Sequence, residues 1–371
     1  MINMLTKLIQ ADSTAQKGEL TAAEVLLEEF DGLGIEAKID KWEQDRANFI
    51  AKVRSSRRRG GLLFACHLDV VPAGDGNWLN PAFSGHESDG KIYGRGAADM
   101  KGPVAAIVTA IKQIVETSVE LQGDIILLAA AGEETDSCGA KRFVRDYAGQ
   151  LPPLAGVVIT EPTDFEIITA HRSLLWLEVS TKGRTAHGSM PQLGVNALTS
   201  MNALLNELAD YTATSGSGRV TGSASMSINT IVGGKAINVV PDRCTIGIDI
   251  RTSHGQGHQK IITDLKKIFS KLKAENPEFD AEVAVARDVE ALETDTDSDF
   301  IKLFCSAVGN NETTAAGFCT DGPFLVPFSK DIVIFGPGKP HLCHKPDECI
   351  EISDLEKAVD YYKNIILKFL T

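Results

Sequence analysis

The sequence has no long apolar run and no excess of positive charge. No stretch of the 371 residues approaches the ~20 consecutive apolar residues that span a bilayer, so we predict no transmembrane helix. Polar side chains recur throughout the first twenty residues, and no small-residue cleavage site follows them, which argues against a secretory signal. With 37 Lys and Arg against 50 Asp and Glu, the formal charge of −13 argues against a nucleic-acid or anionic-membrane partner. These absences predict a cytoplasmic protein.

Paired cysteines, repeats and low-complexity linkers are also missing. The seven cysteines are an odd number and show no CxxC spacing, which is typical of buried thiols in a reducing compartment. The one basic run, residues 54–60, is interpreted as a solvated loop between two strands. A chain of 371 residues exceeds what one hydrophobic core usually serves, so two domains are expected.

Strands that alternate with helices occupy both ends of the chain. Apolar periodicity predicts helices within 1–30 and at 102–117, 138–149, 299–308 and 354–370, and strands at 36–40, 48–53, 61–70, 124–132, 154–160 and 331–338. The strands at 61–70, 124–132 and 154–160 are too continuously apolar to have a wet face. This order predicts a three-layer α/β domain with a mixed sheet, formed by residues 1–172 and 287–371.

The middle of the chain has a different pattern. Between residues 173 and 286, segments of period 2 and helical segments follow one another in the order β-α-β-β-α-β. That order is the split βαβ unit of ferredoxin-like folds, which makes a complete small domain. We therefore predict an α+β domain, residues 173–286, inserted into the larger one.

Acidic and imidazole side chains stand at the ends of the buried strands. They are His67 and Asp69 after the first, Glu133 and Glu134 after the second, and Glu161 after the third. Ligands bind beyond the carboxyl ends of strands in open α/β sheets, and clustered carboxylates need cations to compensate their repulsion. Histidine and carboxylates in this number are typical zinc ligands. Asp99, in the loop YGRGAADMKG, and His344, in CHKPDE, are placed to join them.

Each of these residues also has a purely structural explanation. His67 and Asp69 could be a hydrogen-bonded core pair, and the two adjacent glutamates could begin a helix whose dipole favours them. Asp99 could be the N-cap of the helix at 102–117. Acids or imidazoles at the ends of four separate buried segments are hard to explain in this way together, so the sequence favours a metal site.

Six motifs in the same order resemble those of a known family. They are CHLDVVP (66–72), YGRGAADMKG (93–102), GEE (132–134), TEPT (160–163), TAHGSMP (185–191) and CHKPDE (343–348). The sequence resembles the di-zinc metallopeptidase family of acetylornithine deacetylase and succinyl-diaminopimelate desuccinylase over essentially its whole length. The resemblance implies a catalytic domain of the zinc-exopeptidase type and an inserted domain that serves as lid and dimer interface.

The resemblance also implies the roles of individual residues. His67 and Glu161 match the ligands of one zinc ion, Glu134 and His344 those of the other, and Asp99 the bridging ligand. Cobalt or manganese are alternative metals. Glu133 is similar to the general base that takes a proton from the metal-bound water. Asp69 is expected to accept the second imidazole N–H of His67 and so to fix its tautomer.

The inserted domain supplies three further candidates through the same resemblance. His187 is similar to a residue that donates to the developing oxyanion across the interface of a homodimer. Asn238 and Arg251 match positions that bind substrate, although Arg251 could also be only a charge at the end of a strand. No role is assigned to His86, His254, His258 or His341, and that of His171 is left open.

The expected activity is hydrolysis of the amide bond of a small N-acyl amino acid. Residues 318–326 favour the branch of acetylornithine deacetylases, enzymes of arginine biosynthesis. Asp321, and Lys345 in the last motif, depart from the pattern of that branch. The motif GRGAADMKG favours desuccinylases. A succinyl-diaminopimelate desuccinylase, or a carboxypeptidase or dipeptidase on the same scaffold, is therefore the alternative. A binding protein without catalysis is disfavoured because every expected ligand and the base are present.

Overall fold

The protein was analysed as a computed structural model that describes residues 1–57, 60–117, 119–152, 154–209, 211, 217–218, 222–255 and 257–371. The helices of this part of the chain are α1 (Ile2–Gln10), α2 (Leu20–Phe30), α3 (Gly102–Glu116), α4 (Cys138–Tyr147), α5 (Ala197–Ala209), α6 (His258–Glu275), α7 (Asp299–Val308), α8 (Gly322–Leu325) and α9 (Ile352–Leu370). Short 3-10 turns lie at Glu43–Asp45, Pro191–Leu193 and Pro340–Leu342.

The strands are shorter than the helices and more numerous. They are β1 (Glu36–Lys41), β2 (Ala47–Val53), β3 (Gly61–His67), β4 (His86–Ser88), β5 (Lys91–Tyr93), β6 (Ile125–Ala130), β7 (Leu154–Ile159), β8 (Ile167–His171), β9 (Leu174–Lys182), β10 (Ser217–Gly218), β11 (Gly222–Ser223), β12 (Ser225–Gly233), β13 (Arg243–Arg251), β14 (Asp280–Val289), β15 (Leu292–Glu293), β16 (Thr313–Ala316), β17 (Ile332–Ile334) and β18 (Cys349–Glu351). Two residues of the basic run, 58 and 59, lie outside the described residues, so the interpretation of that run as a loop stays a prediction.

The chain forms two compact units. The first consists of Met1–Thr169, Thr294–Ala315 and Thr320–Thr371, and the second of Ala170–Glu293 and Ala316–Cys319. The second unit thus begins a few residues before the predicted boundary at 173 and ends a few residues after 286. The function of the second unit as a lid or dimer interface stays a prediction.

The first unit is built on a mixed sheet, as predicted. Its strands run in the order β1-β2-β6-β3-β7-β17-β8, with β3 parallel to β6 and β7, and β7 parallel to β17. Every residue of β3 and of β6 is buried, because helices cover the sheet. On one face Phe64 packs edge-on against Tyr362 of α9, with ring centroids 6.0 Å apart. The α/β fold class is therefore confirmed.

The second unit is a four-stranded antiparallel sheet with two helices. The strand order β12-β13-β9-β14, together with the chain order β9-α5-β12-β13-α6-β14, is that of a ferredoxin-like fold. Its core is formed by alternate residues of β9, such as Leu175, Leu177 and Val179, with apolar residues of α5 and α6. The predicted α+β insertion is thus found in the structure.

Two expectations concern the chain as a whole. All seven cysteines are free thiols, and Cys66, Cys244, Cys305 and Cys349 are buried. Among the helices in the described part of the chain, none combines the length and the apolar character that crossing a membrane requires.

Candidate metal centre

Parallel strands of the first unit end at one edge of its sheet. In the register of β3, His67 lies opposite Ala130 of β6, and Ala65 lies opposite Ile159 of β7. The carboxyl ends of parallel strands share an edge, so the residues that follow β6 and β7 lie near His67. The two glutamates of the GEE motif and Glu161 are those residues. The buried apolar strands therefore bring acids and an imidazole together.

His67 lies among the first set of candidate ligands. Its Nε2 is 3.2 Å from Oδ1 of Asp99 and 3.5 Å from Oε1 of Glu161. Its Nδ1 is 2.9 Å from the carbonyl oxygen of Asp69, so Nδ1 carries the proton donated there, and Nε2 faces the carboxylates. That is the tautomer in which Nε2 can bind a metal. We call His67, Asp99 and Glu161 the first ligand group.

A second set of ligands shares Asp99 with the first. Nε2 of His344 lies 2.8 Å from Oε1 of Glu134 and 3.2 Å from Oδ2 of Asp99. We call Asp99, Glu134 and His344 the second ligand group. In each group, one ligand atom per residue lies within 4.8 Å of the others. All five side chains that the sequence proposes as metal ligands are therefore brought together.

Asp99 reaches this position from an irregular segment. Residues Ala97–Lys101 form a distorted helical turn before α3, and the Asp99–Met100 peptide bond is cis. Gly96 has φ 85°, and a Cβ at this position would lie 2.7 Å from Cγ1 of Val70 and 3.0 Å from Cδ of Lys101. Glycine is therefore required there both for the conformation and for the close approach.

The two adjacent glutamates are placed by a turn. β6 ends at Ala130, and Gly132 has φ 76°, so the alternation of a strand no longer applies to the residues after it. The amides of Glu133 and Glu134 donate hydrogen bonds of 3.0 and 2.9 Å to the two carboxylate oxygens of Asp69. The turn explains how an apolar strand can end in two like charges that serve one site.

The carboxylate of Asp69 has partners that the prediction did not include. Its carboxylate Oδ1 is 3.5 Å from Nδ1 of His67, whereas its own carbonyl oxygen is nearer, at 2.9 Å. The carboxylate instead accepts the amides of Glu133 and Glu134. Asp69 therefore joins the end of β3 to the turn after β6, a contact that spacing in the sequence does not show.

The carboxylates around the two imidazoles favour their protonation. Burial opposes protonation of His67, but Glu161 and the other surrounding carboxylates raise its pKa well above the usual value. Hydrogen bonds to Asp99 and Glu134 raise the pKa of His344 to about 10. Burial would raise the pKa of Asp99, yet the hydrogen bonds from both imidazoles lower it. Asp99 is thus a carboxylate between two imidazoles.

The remaining acids are not fully compensated. Burial, and then the charge of Asp321, raise the pKa of Glu133 well above the usual value. Burial also raises the pKa of Glu161 and of Glu134, and the carboxylate of Asp99 adds to it. Divalent cations would relieve this repulsion, and oxygen and imidazole donors in two groups suit them. The residues present therefore fit two divalent cations.

A small cavity adjoins the first ligand group. It has room for about one water molecule, and its lining includes His67, Glu133, Glu161, Asp321 and Leu325. Glu133 is 8% exposed and faces the same space as two of the candidate ligands, although it belongs to neither ligand group. The candidate base therefore lies where a reacting molecule bound by the ligands would be within reach.

His187 and Asn238 lie in the second unit. The amide of Ser189 donates to Nδ1 of His187 at 3.2 Å, so the proton of this exposed ring is on Nε2, which can donate. Asn238 is exposed, and its carbonyl oxygen accepts a 2.7 Å hydrogen bond from the amide of Gly188. The two residues lie on neighbouring segments, and their roles toward a substrate stay predictions.

Arg251 already has a partner on its own strand. Its Nε and Nη2 donate hydrogen bonds of 2.7 and 3.1 Å to the carboxylate of Asp249. A substrate carboxylate would have to compete with Asp249 for this guanidinium. Its expected role in substrate binding stays a prediction, beside the alternative of a charge at the end of a strand.

Sequence reasoning missed some charged residues around the centre. Glu348 and Arg95 are buried and form an ion pair behind Asp99, although both belong to the motifs quoted above. Asp321 lines the cavity beside Glu133. Both motifs contain several charged residues, so the sequence alone does not single out Glu348 and Arg95 as a pair.

Comparison with known proteins finds a matching family and similar enzymes. The profile of peptidase family M20/M25/M40 matches residues 63–368. A probable succinyl-diaminopimelate desuccinylase of Staphylococcus aureus is 28% identical over 409 aligned positions, which cover 100% of this chain and 97% of the relative. An acetylornithine deacetylase of Proteus mirabilis is 30% identical, with 91% of this chain and 87% of the relative covered.

The fold is shared with solved structures. An M20 family metallo-carboxypeptidase from Sulfolobus solfataricus superposes with a TM-score of 0.82 at 19% identity, covering 99% of this chain and 98% of that one. The resemblance inferred from the six motifs is thus confirmed. Because the family profile spans most of the sequence and the relatives align along nearly all of it, the chain belongs to peptidase family M20/M25/M40 and is a metal-dependent hydrolase.

Proposed function

We propose that the protein hydrolyses the amide bond of a small N-acyl amino acid with two divalent cations, zinc being the expected metal. His67 and Glu161 would hold one cation, Glu134 and His344 would hold the other, and Asp99 would be shared by both. When bound, such cations polarise the scissile carbonyl and make water a stronger acid. The other contributions come from side chains of the protein.

The position of Asp99 carries this proposal. One of its oxygens is 3.2 Å from Nε2 of His67, and the other is 3.2 Å from Nε2 of His344. A carboxylate that only paired with one histidine would not need to present each oxygen to a different imidazole. This arrangement is what a ligand shared by two cations requires.

Glu133 is the group proposed to move the proton. It lines the cavity beside His67 and Glu161, and the amide hydrogen bond to Asp69 fixes its backbone. A carboxylate there can accept a proton from the attacking water and deliver it to the leaving amine. Burial keeps the proton within the site during this transfer.

Replacement of Glu133 tests this role. We expect Glu133→Gln to lower kcat by about 10²- to 10⁴-fold, because the amide has the shape of the acid but cannot accept the proton. Metal content should stay at the wild-type value, because Glu133 belongs to neither ligand group. Steady-state hydrolysis and metal analysis of the same preparation measure both. Glu116→Gln, an exposed position at the end of α3, is the control. Wild-type turnover in the Glu133 variant would remove the proposed base.

The acyl group and the amino acid are decided by a substrate panel. Relatives that are 28% and 30% identical are named as a desuccinylase and a deacetylase. We propose the deacetylase activity, and the alternatives are desuccinylase and carboxypeptidase or dipeptidase activity. Rates of hydrolysis of N-acetylornithine, N-succinyl-diaminopimelate and a set of dipeptides separate them. Preference for acetylornithine supports the proposal, and preference for either other class replaces it.

The second unit is proposed to form a homodimer. β12 is an edge strand of its sheet, and it exposes Ile231 at 57% and Val232 at 73%. Ile237 and Leu193 in nearby loops of the same unit are exposed as well. An apolar edge of this kind is a template for pairing with another chain. A second copy of this chain is the proposed partner.

A further inference from the structure

A buried carboxylate behind the metal centre joins two ligand-bearing segments. The side chain of Glu348 has no exposed surface, and its Oε1 accepts hydrogen bonds of 3.0 Å from the amides of both Ala98 and Asp99. Its Oε2 pairs with the guanidinium of Arg95, which is itself 2% exposed. Glu348 follows His344 by four residues, so one side chain connects the bridging ligand to the segment of another ligand.

Other contacts join the same two segments. The amide of Gly94 donates a 2.8 Å hydrogen bond to the carbonyl oxygen of Glu348, and β5 pairs with β18 at Tyr93 and Cys349. Arg95 also donates to the carbonyl oxygen of Lys345, at 3.5 Å. The segments 93–99 and 345–349 are therefore held against each other, with the carboxylate of Glu348 as their charged centre.

His344 does not lie at the end of a strand of the sheet. In this it differs from His67, the last residue of β3, and from the ligands that follow β6 and β7. His344 lies in an irregular stretch between the turn Pro340–Leu342 and β18, has φ 63°, and exposes 49% of its side chain. Asp99 likewise belongs to an irregular segment. The distance between these two ligands thus depends on contacts between loops, and Glu348 supplies several of them.

We propose that Glu348, with Arg95, is a positioning residue that assembles the second ligand group. Its loss weakens cation binding at Asp99, Glu134 and His344 more than at His67, Asp99 and Glu161, where two of the three ligands are placed by strands. This inference rests on the cation binding in the proposed function. It adds a residue that touches neither cation nor substrate.

Cobalt binding to the full-length protein tests the proposal. Metal-free wild type and Glu348→Gln are titrated with Co²⁺ and followed by calorimetry and by the visible absorption of bound cobalt. We expect two binding steps for wild type. In the variant, we expect one step to stay within about threefold and the other to weaken about 10- to 100-fold, as is usual when a group that orients a ligand is lost. Glutamine keeps an acceptor for the two amides, so Glu348→Ala should weaken that step further.

Two further variants show whether the effect depends on position. Arg95→Lys keeps a positive charge that faces the intact Glu348, so it should retain most of the wild-type affinity at the step that Glu348→Gln weakens. Asp40→Asn breaks a half-buried ion pair with Arg142, away from the candidate ligands, and should change neither step. Equal weakening of both steps, or a lower melting temperature of the metal-free variant with both affinities unchanged, would mean that Glu348 only stabilises the fold.

The outcomes separate this proposal from the proposed function. If wild type binds two cobalt ions but cleaves no substrate of the panel, the proposed function fails, and the selective loss in Glu348→Gln still supports this inference. If wild type shows fewer than two binding steps, both are overturned.

Discussion

At the scale of single residues, the centre depends on side chains that serve two neighbours at once. Asp99 offers one oxygen to each imidazole. Asp69 accepts the amides of Glu133 and Glu134 with its carboxylate and faces Nδ1 of His67 with its carbonyl oxygen. Because each group has two partners, its removal should disturb residues that come from different strands.

His171 provides a test at the same scale outside the metal centre. It is fully buried, and burial lowers its pKa from 6.5 to about 4. A hydrogen bond to the carbonyl oxygen of Arg172 opposes this shift. The unfolded chain therefore binds one more proton between these pH values, and His171 makes folding less favourable as pH falls from about 6.5 to 4.

We expect a variant of His171 to remove this pH dependence. Between pH 6.5 and 4, the free energy of unfolding should decrease less in His171→Gln than in wild type. The difference between the two decreases should be roughly 3 kcal/mol at most. Urea unfolding at several pH values measures the difference. His86→Gln, at an exposed position, is the control. Parallel pH profiles for wild type and His171→Gln would show that His171 does not titrate in this way.

At the scale of elements, the ligands divide by how they are placed. His67 is the last residue of a buried strand, and Glu134 and Glu161 follow two others, so the sequence could predict their meeting from the rule for strand ends. Asp99 and His344 come from irregular segments; their place in the sequence made them candidates, and the resemblance to a family gave their roles as ligands. The contact of Glu348 with Asp99 spans 249 residues, and no periodicity encodes it.

Short strands could not be predicted from the periodicity of the sequence. β4 and β5 have three residues each, which is too few to show a period, and β8 was not recognised between two longer strands. The long helices and the order of the inserted unit were predicted, because their apolar periodicity extends over many residues.

The start of α4 offers a test of how elements position the glutamate turn. Gly139 packs against the end of β6, and a Cβ there would overlap the backbone of Ala131 and the side-chain amide of Asn48. Asn48 connects Gly139 with Ala131. Its side-chain amide donates a hydrogen bond of 2.9 Å to the carbonyl oxygen of Gly139 and accepts one of 3.0 Å from the backbone amide of Ala131. Helix, strand and turn are therefore fixed with little spare volume.

We expect Gly139→Ala to lower the free energy of unfolding by about 1–3 kcal/mol, because the methyl group has no space. Activity should fall as well, since the turn with Glu133 and Glu134 follows directly after Ala131. Thermal unfolding and kcat/KM measure the two effects. Gly317→Ala, at an exposed glycine outside the helices where φ is not left-handed and no atom lies within 4 Å, should change stability by less than about 0.5 kcal/mol. Equal stability of both variants would contradict the packing described here.

At the scale of the whole molecule, the proposal gives the two units different tasks. The first contains both ligand groups and Glu133. The second contains His187 and the apolar edge at β12. If the second unit forms the dimer, the partner's His187 can supply the donor that the proposed reaction needs at the oxyanion.

Mixing two inactive variants tests this arrangement. Glu133→Gln and His187→Ala chains are unfolded together and refolded in equal amounts. Donation across the interface gives every mixed dimer one intact site, so about a quarter of wild-type activity should return. Donation within one chain leaves every site with a defect, and activity should stay at the level of the single variants. A monomeric mass in sedimentation would contradict the dimer itself.

The number of divalent cations bound per chain is the most direct test of the proposed two-cation centre. Wild type, His67→Ala and His344→Ala are dialysed against Zn²⁺, and zinc per folded chain is measured by mass spectrometry. We expect about two ions per chain for wild type and about one for each variant, because each histidine belongs to one ligand group. Less than one ion in wild type, or two ions in both variants, would contradict it.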